Sequence, residues 1–181
     1  MADPIVVVPY ASEWPRLFDE LGDRLRRALG PAALRIDHVG STAVPGLAAK
    51  PVIDVQITVN DLKPLAAYAE PLTDLGFVYR AGNPDRAKRY FREPPGTRRT
   101  HLHVRAAGSP AERSTLLLRD YLRANAAEAK AYAELKQDLA VRCRHDREAY
   151  VEAKAPFLAN ALQRAEHWST ASGWRPSDSD A

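Results

Sequence analysis

The chain has 181 residues, 45% of them hydrophobic and 27% charged, with a net charge of +3. This allows one substantial core rather than two large domains, offers no apolar run near the roughly 20 residues of a membrane span, and is too mildly basic to argue for nucleic acid. Cys143 stands alone, which excludes an internal disulfide and a cysteine metal site; with an N-terminus that lacks the charged-then-apolar layout of a secretory signal, the expected location is the cytoplasm.

Ile5 to Val8 reads as a short strand. Ser12 is a candidate cap for a helix running to about Leu29, with Pro15 tolerated in the first turn. Trp14, Leu17, Phe18, Leu21 and Leu25 recur at helical spacing, and Gly30-Pro31 ends the run. Leu34, Ile36 and His38 alternate with Arg35, Asp37 and Val39, which predicts a strand. Val52 to Val59 is β-branched and nearly continuous, as suits a central strand covered on both faces. Asn60 or Asp61 is expected to open a helix that Pro71 bends or splits and Gly76 ends. Phe77 to Tyr79 reads as a third strand. Residues 87–93 and 100–106 flank Pro94-Pro95-Gly96 and read as a hairpin. The remainder is helical: Ser109-Pro-Ala-Glu112 has the form of a capping box, Asn125 with Glu128 repeats it, and a last helix spans about Asp146 to His167. Residues 169–181, rich in Ser, Asp, Gly and Pro, are expected to be a loose, disordered tail. The order predicts an α+β or α/β sandwich, with α+β the expected class: residues 1–107 are expected to form a sheet domain and residues 108–168 a C-terminal helical part, packed on the sheet or standing beside it as a subdomain.

Three features could carry chemistry. Gly40-Ser41 lies just beyond a strand, where glycine lets an anion approach the backbone and serine offers a hydroxyl and an N–H; a plain turn is the structural alternative. Asp54 interrupts Val-Ile-Asp-Val-Gln-Ile, and a carboxylate there must be capped by donors or bound to a cation. Gln56 shares its face by the period of two but cannot act as a base. His101-Leu-His103 projects two imidazoles to one side of a strand, as metal ligands or general bases would be; surface decoration is the alternative. Two imidazoles with Asp54 would leave positions open on a divalent ion such as Zn, Mn or Fe. Farther on, Tyr132 with Lys136 and Tyr150 with Lys154 are spaced i, i+4 and so lie on one helical face each. They serve either a polyanion or the covering of the core. The same choice, anion surface or solvated hairpin, applies to Arg86, Lys88, Arg89, Arg92, Arg98, Arg99 and Arg105.

The run His38-Val-Gly-Ser-Thr-Ala-Val-Pro-Gly-Leu-Ala-Ala-Lys-Pro-Val-Ile-Asp54, with Phe91-Arg92, His101-Leu-His103-Val, Arg119-Asp-Tyr-Leu122, Tyr132, Lys136, Tyr150 and Lys154, resembles the GrpB family over about residues 5–162. The resemblance implies a nucleotidyltransferase-like mixed sheet with flanking helices. In that superfamily a Gly-Ser ends one strand, two acids spaced by one residue lie on the next, and a third acid follows later. Two metal ions then bridge the acids and the nucleotide phosphates. Here Gln56 replaces the second acid and His103 stands at the third position. Two magnesium ions need oxygen ligands, so one ion of softer character fits these residues better. Some relatives in the family are fused to dephospho-coenzyme A kinase.

The expected function is a nucleotide- or phosphorylated-ligand-binding protein with one divalent-metal pocket (Mg, Mn or Zn), conceivably a divergent nucleotidyl or phosphoryl transferase. Asp54 and His103 are the candidate catalytic residues. Asp54, His101 and His103 would hold the metal. Gly40, Ser41, Lys50, Arg92, Lys136 and Lys154 would bind phosphate. A non-catalytic nucleotide-binding or partner-docking module and a metal-dependent hydrolase are the alternatives. The expected partner is a small phosphorylated molecule, without membrane or nucleic acid.

Overall fold

Alternation along Ile53-Asp-Val-Gln-Ile-Thr-Val59 assigns the sides of the sheet. In the computed structural model, which describes residues 4–181, this segment is the strand β2 (Ile53–Val59), second in a sheet that also contains β1 (Arg35–Val39), β3 (Val78–Tyr79), β4 (Arg89–Arg92) and β5 (Thr100–Ala106). Residues 1–3, where the expected sheet domain begins, lie outside the described residues. The order is β1-β2-β5-β4-β3, with β2 and β5 parallel and every other pair antiparallel. The class is therefore α+β with a mixed sheet. Ile53, Val55, Ile57 and Val59 join Ile36, Phe91, Leu102 and Val104 on the apolar side. Asp54, Gln56 and Thr58 fall on the opposite side with His101, His103 and Arg105, because register places like with like.

The apolar side is covered by α1 (Trp14–Leu29) and α2 (Ala66–Asp74). Trp14, Phe18, Leu25 and Leu29 form the buried stripe of α1, with Leu17 and Leu21 beside it. The helix starts without the expected Ser12 cap: Pro15 presets its first turn and Glu13 precedes it with no side-chain bond. The second helix begins at Ala66, later than Asn60 or Asp61 suggests. Asp61 instead bonds the Lys63 N–H in a local turn, and Pro64 keeps the preceding residue out of helix. Pro71 is accommodated inside α2 without splitting it.

The polar side faces α3 (Pro110–Ala124), α4 (Ala126–Arg142) and α5 (Arg147–Ser172), which pack on one another. Their apolar faces close over Val44 and Leu47 in the loop between β1 and β2, so Leu117, Tyr121, Leu122, Tyr132 and Ala165 form a second core with that loop. Ser109 caps α3 by accepting from the Glu112 N–H. The Glu112 carboxylate accepts from the Gly108 N–H and the Thr58 hydroxyl, which ties α3 to β2. Asn125 does not repeat this device: its amide donates to the Tyr121 carbonyl, and Glu128 is taken by Arg164.

Two expectations need correction. Ile5 to Val8 is no strand; Val8 alone bridges to Ala49, each N–H bonding the other's carbonyl. Residues 169–181 are not a loose tail. Residues 169–172 complete α5, Gly173 caps it in the left-handed region, and the rest returns to β1. There Ala181 N–H donates to the Ile36 carbonyl, Ser179 accepts from Ile36 N–H, and Asp180 accepts from His38 N–H and the Arg119 guanidinium. Composition marked the segment as loose, whereas its first four residues are helical and the rest is anchored by the buried Arg119, a tertiary partner.

A candidate metal and anion centre

Asp54 is packed against a turn that only glycine can make. Gly40 has φ +73, and a Cβ there would lie 2.7 Å from Asp54 Oδ2. Ser41 opens the single turn Ser41–Ala43. His38 supports it from below: its ring stacks on Phe18 at 4.8 Å, and Nε2 lies 3.0 Å from Thr42 Oγ1, which donates to the Val52 carbonyl. Burial pushes the His38 imidazole down to about 4, so the group is a neutral strut.

Parallel register sets Asp54 beside His101, and Gln56 beside His103. His101 Nδ1 is 3.0 Å from Asp54 Oδ1 and His103 Nε2 is 3.4 Å from the same oxygen. Burial alone would raise the Asp54 carboxyl, but the two imidazoles more than offset it and hold the group below the ordinary carboxylate range. Burial lowers His103, against the pull of Asp54. The ammonium of Lys88 is 3.2 Å from His103 Nδ1. An ammonium can only donate, so in this arrangement His103 carries its proton on Nε2, toward Asp54; for Nε2 to hold an ion that proton would have to move and Lys88 to release Nδ1. One ligand atom from each of Asp54, His101 and His103 falls within 4.8 Å of the others. His101 Nε2 is buried with no partner. An imidazole nitrogen left unpaired beside a carboxylate and a second imidazole is a donor set that could hold one borderline divalent ion. A pair of magnesium ions does not fit: Gln56 Nε2 donates to the Glu112 carbonyl at 3.3 Å, and its position supplies no anionic oxygen.

Beside this triad is a cavity of about 250 Å³ between the sheet and the helices. Gly40, Ser41, Asp54 and His101 line it together with Lys50, Tyr132, Lys136, Tyr150 and Lys154. Lys50 and Lys154 both approach the Tyr150 ring, at 5.1 and 4.6 Å, and Lys136 approaches Tyr132 at 4.5 Å. Burial, then repulsion from Lys154, lowers Lys50 to about 8; burial, Lys154 and Lys50 lower Lys136 to about 7. Burial also pulls Lys154 down, while Asp54 partly restores it. Three ammonium groups crowd a cavity whose one carboxylate, Asp54, is already engaged by two imidazoles.

The structure thus gathers Gly40, Ser41, Lys50, Asp54, His101, Lys136 and Lys154 around one space, with His103 behind Asp54. Arg92 goes elsewhere. It shares the sheet face of His101 but makes a two-point bond to Glu93 at 2.9 and 2.8 Å and does not line the cavity. Lys88 was missed as a site residue, although the hairpin register puts it on the histidine side of β4.

A model of the family described as GrpB protein matches residues 4–164. The chain belongs to the GrpB family. Among its relatives, the UPF0157 protein YqkA of Bacillus subtilis (strain 168) is 34% identical over 164 residues, covering 91% of this chain and 48% of YqkA. A dephospho-CoA kinase of Mycolicibacterium paratuberculosis is 34% identical over 198 residues, 96% of this chain and 49% of the kinase. The chain spans about half the length of each of these two relatives. The crystal structure of the conserved protein GrpB from Enterococcus faecalis superposes with a TM-score of 0.82 at 30% identity, over 90% of this chain and 99% of that one. The Cid1 poly(U) polymerase superposes with a TM-score of 0.53 at 18% identity, over 75% of this chain and 44% of Cid1, which marks a shared nucleotidyltransferase-like fold. Among the described residues, no helix of this GrpB protein is long and apolar enough to cross a membrane.

Proposed function

We propose that the cavity binds a nucleotide or other phosphorylated small molecule together with one divalent ion. The observation that carries this reading is the meeting of the Asp54, His101 and His103 triad with three crowded lysines around a single small space, which Asp54, His101, Lys50, Lys136 and Lys154 line together. Asp54, His101 and His103 would hold the ion. A divalent ion so held supplies Lewis-acid polarisation of a phosphoryl oxygen and fixes its orientation. Gly40 allows close backbone approach, and Ser41 offers an N–H and a hydroxyl to a phosphate oxygen. Lys50, Lys136 and Lys154 neutralise the charge, each a point donor that adapts to the ligand. The shared fold with Cid1, one of whose structures has Mg and 3′-dATP bound, supports a nucleotide among phosphorylated ligands.

In a transfer reaction the acid–base roles divide between Asp54 and His103. Asp54 is held too far below the ordinary range to be an effective base and orients the imidazole. His103, which burial keeps neutral against the pull of Asp54, is the imidazole whose Nε2 faces that carboxylate. Binding without turnover is the second reading, favoured by Gln56, which brings no second acid to the site. Incubation with labelled nucleoside triphosphates and Mg or Mn separates them. Pyrophosphate release identifies a transferase, and bound, intact nucleotide identifies a binding module. Asp54→Ala with unchanged metal content and unchanged nucleotide affinity contradicts both.

A further inference from the structure

A second cavity, of about 270 Å³, adjoins the first. The two share Lys50 and Val52 as a common wall. Beyond that wall the charged lining is Arg99, just before β5, and Arg147, the first residue of α5; among the described residues no acid lines it. Among the described residues neither guanidinium has a carboxylate within ion-pairing reach. Glu93, which faces Arg147 at longer range, is held by Arg92. Burial and then Arg99 disfavour the charge of Arg147, and both arginines disfavour the charge of Lys50. The apolar wall is Ile5, Val6 and Pro51. It is fixed in place by Ile5 N–H on the Arg144 carbonyl at 2.7 Å and by the Val8–Ala49 bridge. Two arginines gathered without a counter-charge beside a shared lysine form a planar-donor site for oxyanions.

We propose that Arg99 and Arg147, with Lys50 between the two cavities, form a second anion subsite that takes a further phosphate of the same ligand. The ligand class is then a molecule with at least two phosphates, one at the Gly40–Ser41 turn and one at the arginines, with an uncharged portion lying on Ile5 and Val6. This rests on the reading of the first cavity as a phosphate site. The second phosphate comes either from a phosphoanhydride chain or from another position on a nucleotide.

The test is titration of the full chain, with Mn present, by three probes: adenosine monophosphate, adenosine triphosphate and adenosine 3′,5′-bisphosphate. The Arg99→Gln/Arg147→Gln double variant is compared with wild type, and Arg147→Gln alone serves if the double variant unfolds. Loss of charge-assisted bonds from an arginine predicts a drop of roughly tenfold or more in affinity for the triphosphate or the bisphosphate, with the monophosphate changed by less than about twofold. A selective drop for the triphosphate assigns the chain, and a selective drop for the bisphosphate assigns the separated phosphate. Equal affinity of wild type for all three probes, or a loss shared by the monophosphate, overturns the subsite and leaves the first cavity standing. Failure of wild type to bind any probe overturns both.

Discussion

Gly40 is where the site tolerates least change. Its φ of +73 disfavours any side chain, and an added Cβ would press into the Asp54 carboxylate. Gly40→Ala is expected to cost on the order of 1–3 kcal/mol in urea unfolding and to weaken metal binding at the same time; a variant that is native-like in both measurements contradicts the proposed packing. The lysines give a second prediction. Burial and the neighbouring cations push Lys50 down to about 8 and Lys136 down to about 7, below the ordinary lysine range. A bound phosphate favours their protonated forms, so binding at pH 8 takes up protons, and affinity falls as the pH rises from 7 to 9. Calorimetry in two buffers of different ionisation enthalpy measures the uptake; no buffer dependence contradicts the role of the lysines. Much of this site was legible in the sequence. Strand alternation put Asp54 and the two histidines on faces that could meet, and i, i+4 spacing paired each lysine with a tyrosine. Alternation could not tell that Arg92 would turn to its own neighbour Glu93, nor that Lys88 would reach His103, because a face is local and a partner is tertiary.

At the level of elements, α3 is fixed to the sheet by one carboxylate. Glu112 accepts from Gly108 N–H at 2.7 Å and from the Thr58 hydroxyl at 3.0 Å. Glu112→Ala leaves both donors unsatisfied in a buried junction and is expected to cost about 1–3 kcal/mol, more than the isolated cap at Ser109 would account for. Equilibrium unfolding compared with Ser109→Ala checks this, and a smaller loss in the Glu112 variant contradicts it. The cap itself was readable from Ser-Pro-Ala-Glu. The carboxylate's second role was not, since Thr58 lies 54 positions away. The start of α2 misled for a related reason: Asp61 is a good capping residue, but Pro64 and the local turn at Lys63 claim it first.

Across the whole molecule, the returning C-terminal segment joins β1 to α3. Asp180 accepts from Arg119 at 2.8 Å and from His38 N–H at 2.9 Å, close to the strut beneath the Gly40 turn. Asp180→Ala is expected to lower stability by about 1–3 kcal/mol, since it removes a partner from a buried guanidinium and from a strand N–H; unchanged urea unfolding contradicts this. The α+β class followed from the sequence because long periodic segments specify their elements, and the mixed sheet was implied by the resemblance to the GrpB family. The returning segment did not, because its hold depends on Arg119 and not on its own composition. The triad and the lysine-lined cavity meet where the sheet, the loop between β1 and β2, and the C-terminal helices come together, and the account depends on an ion being held there. Tag-free protein, dialysed against Mn or Zn and then against buffer, provides the most direct measurement. Elemental analysis is expected to find about one ion per chain in the wild type and essentially none in Asp54→Asn, as an Asp-His-His donor set requires. Metal-free wild type, or an Asp54→Asn variant that keeps the ion, contradicts it.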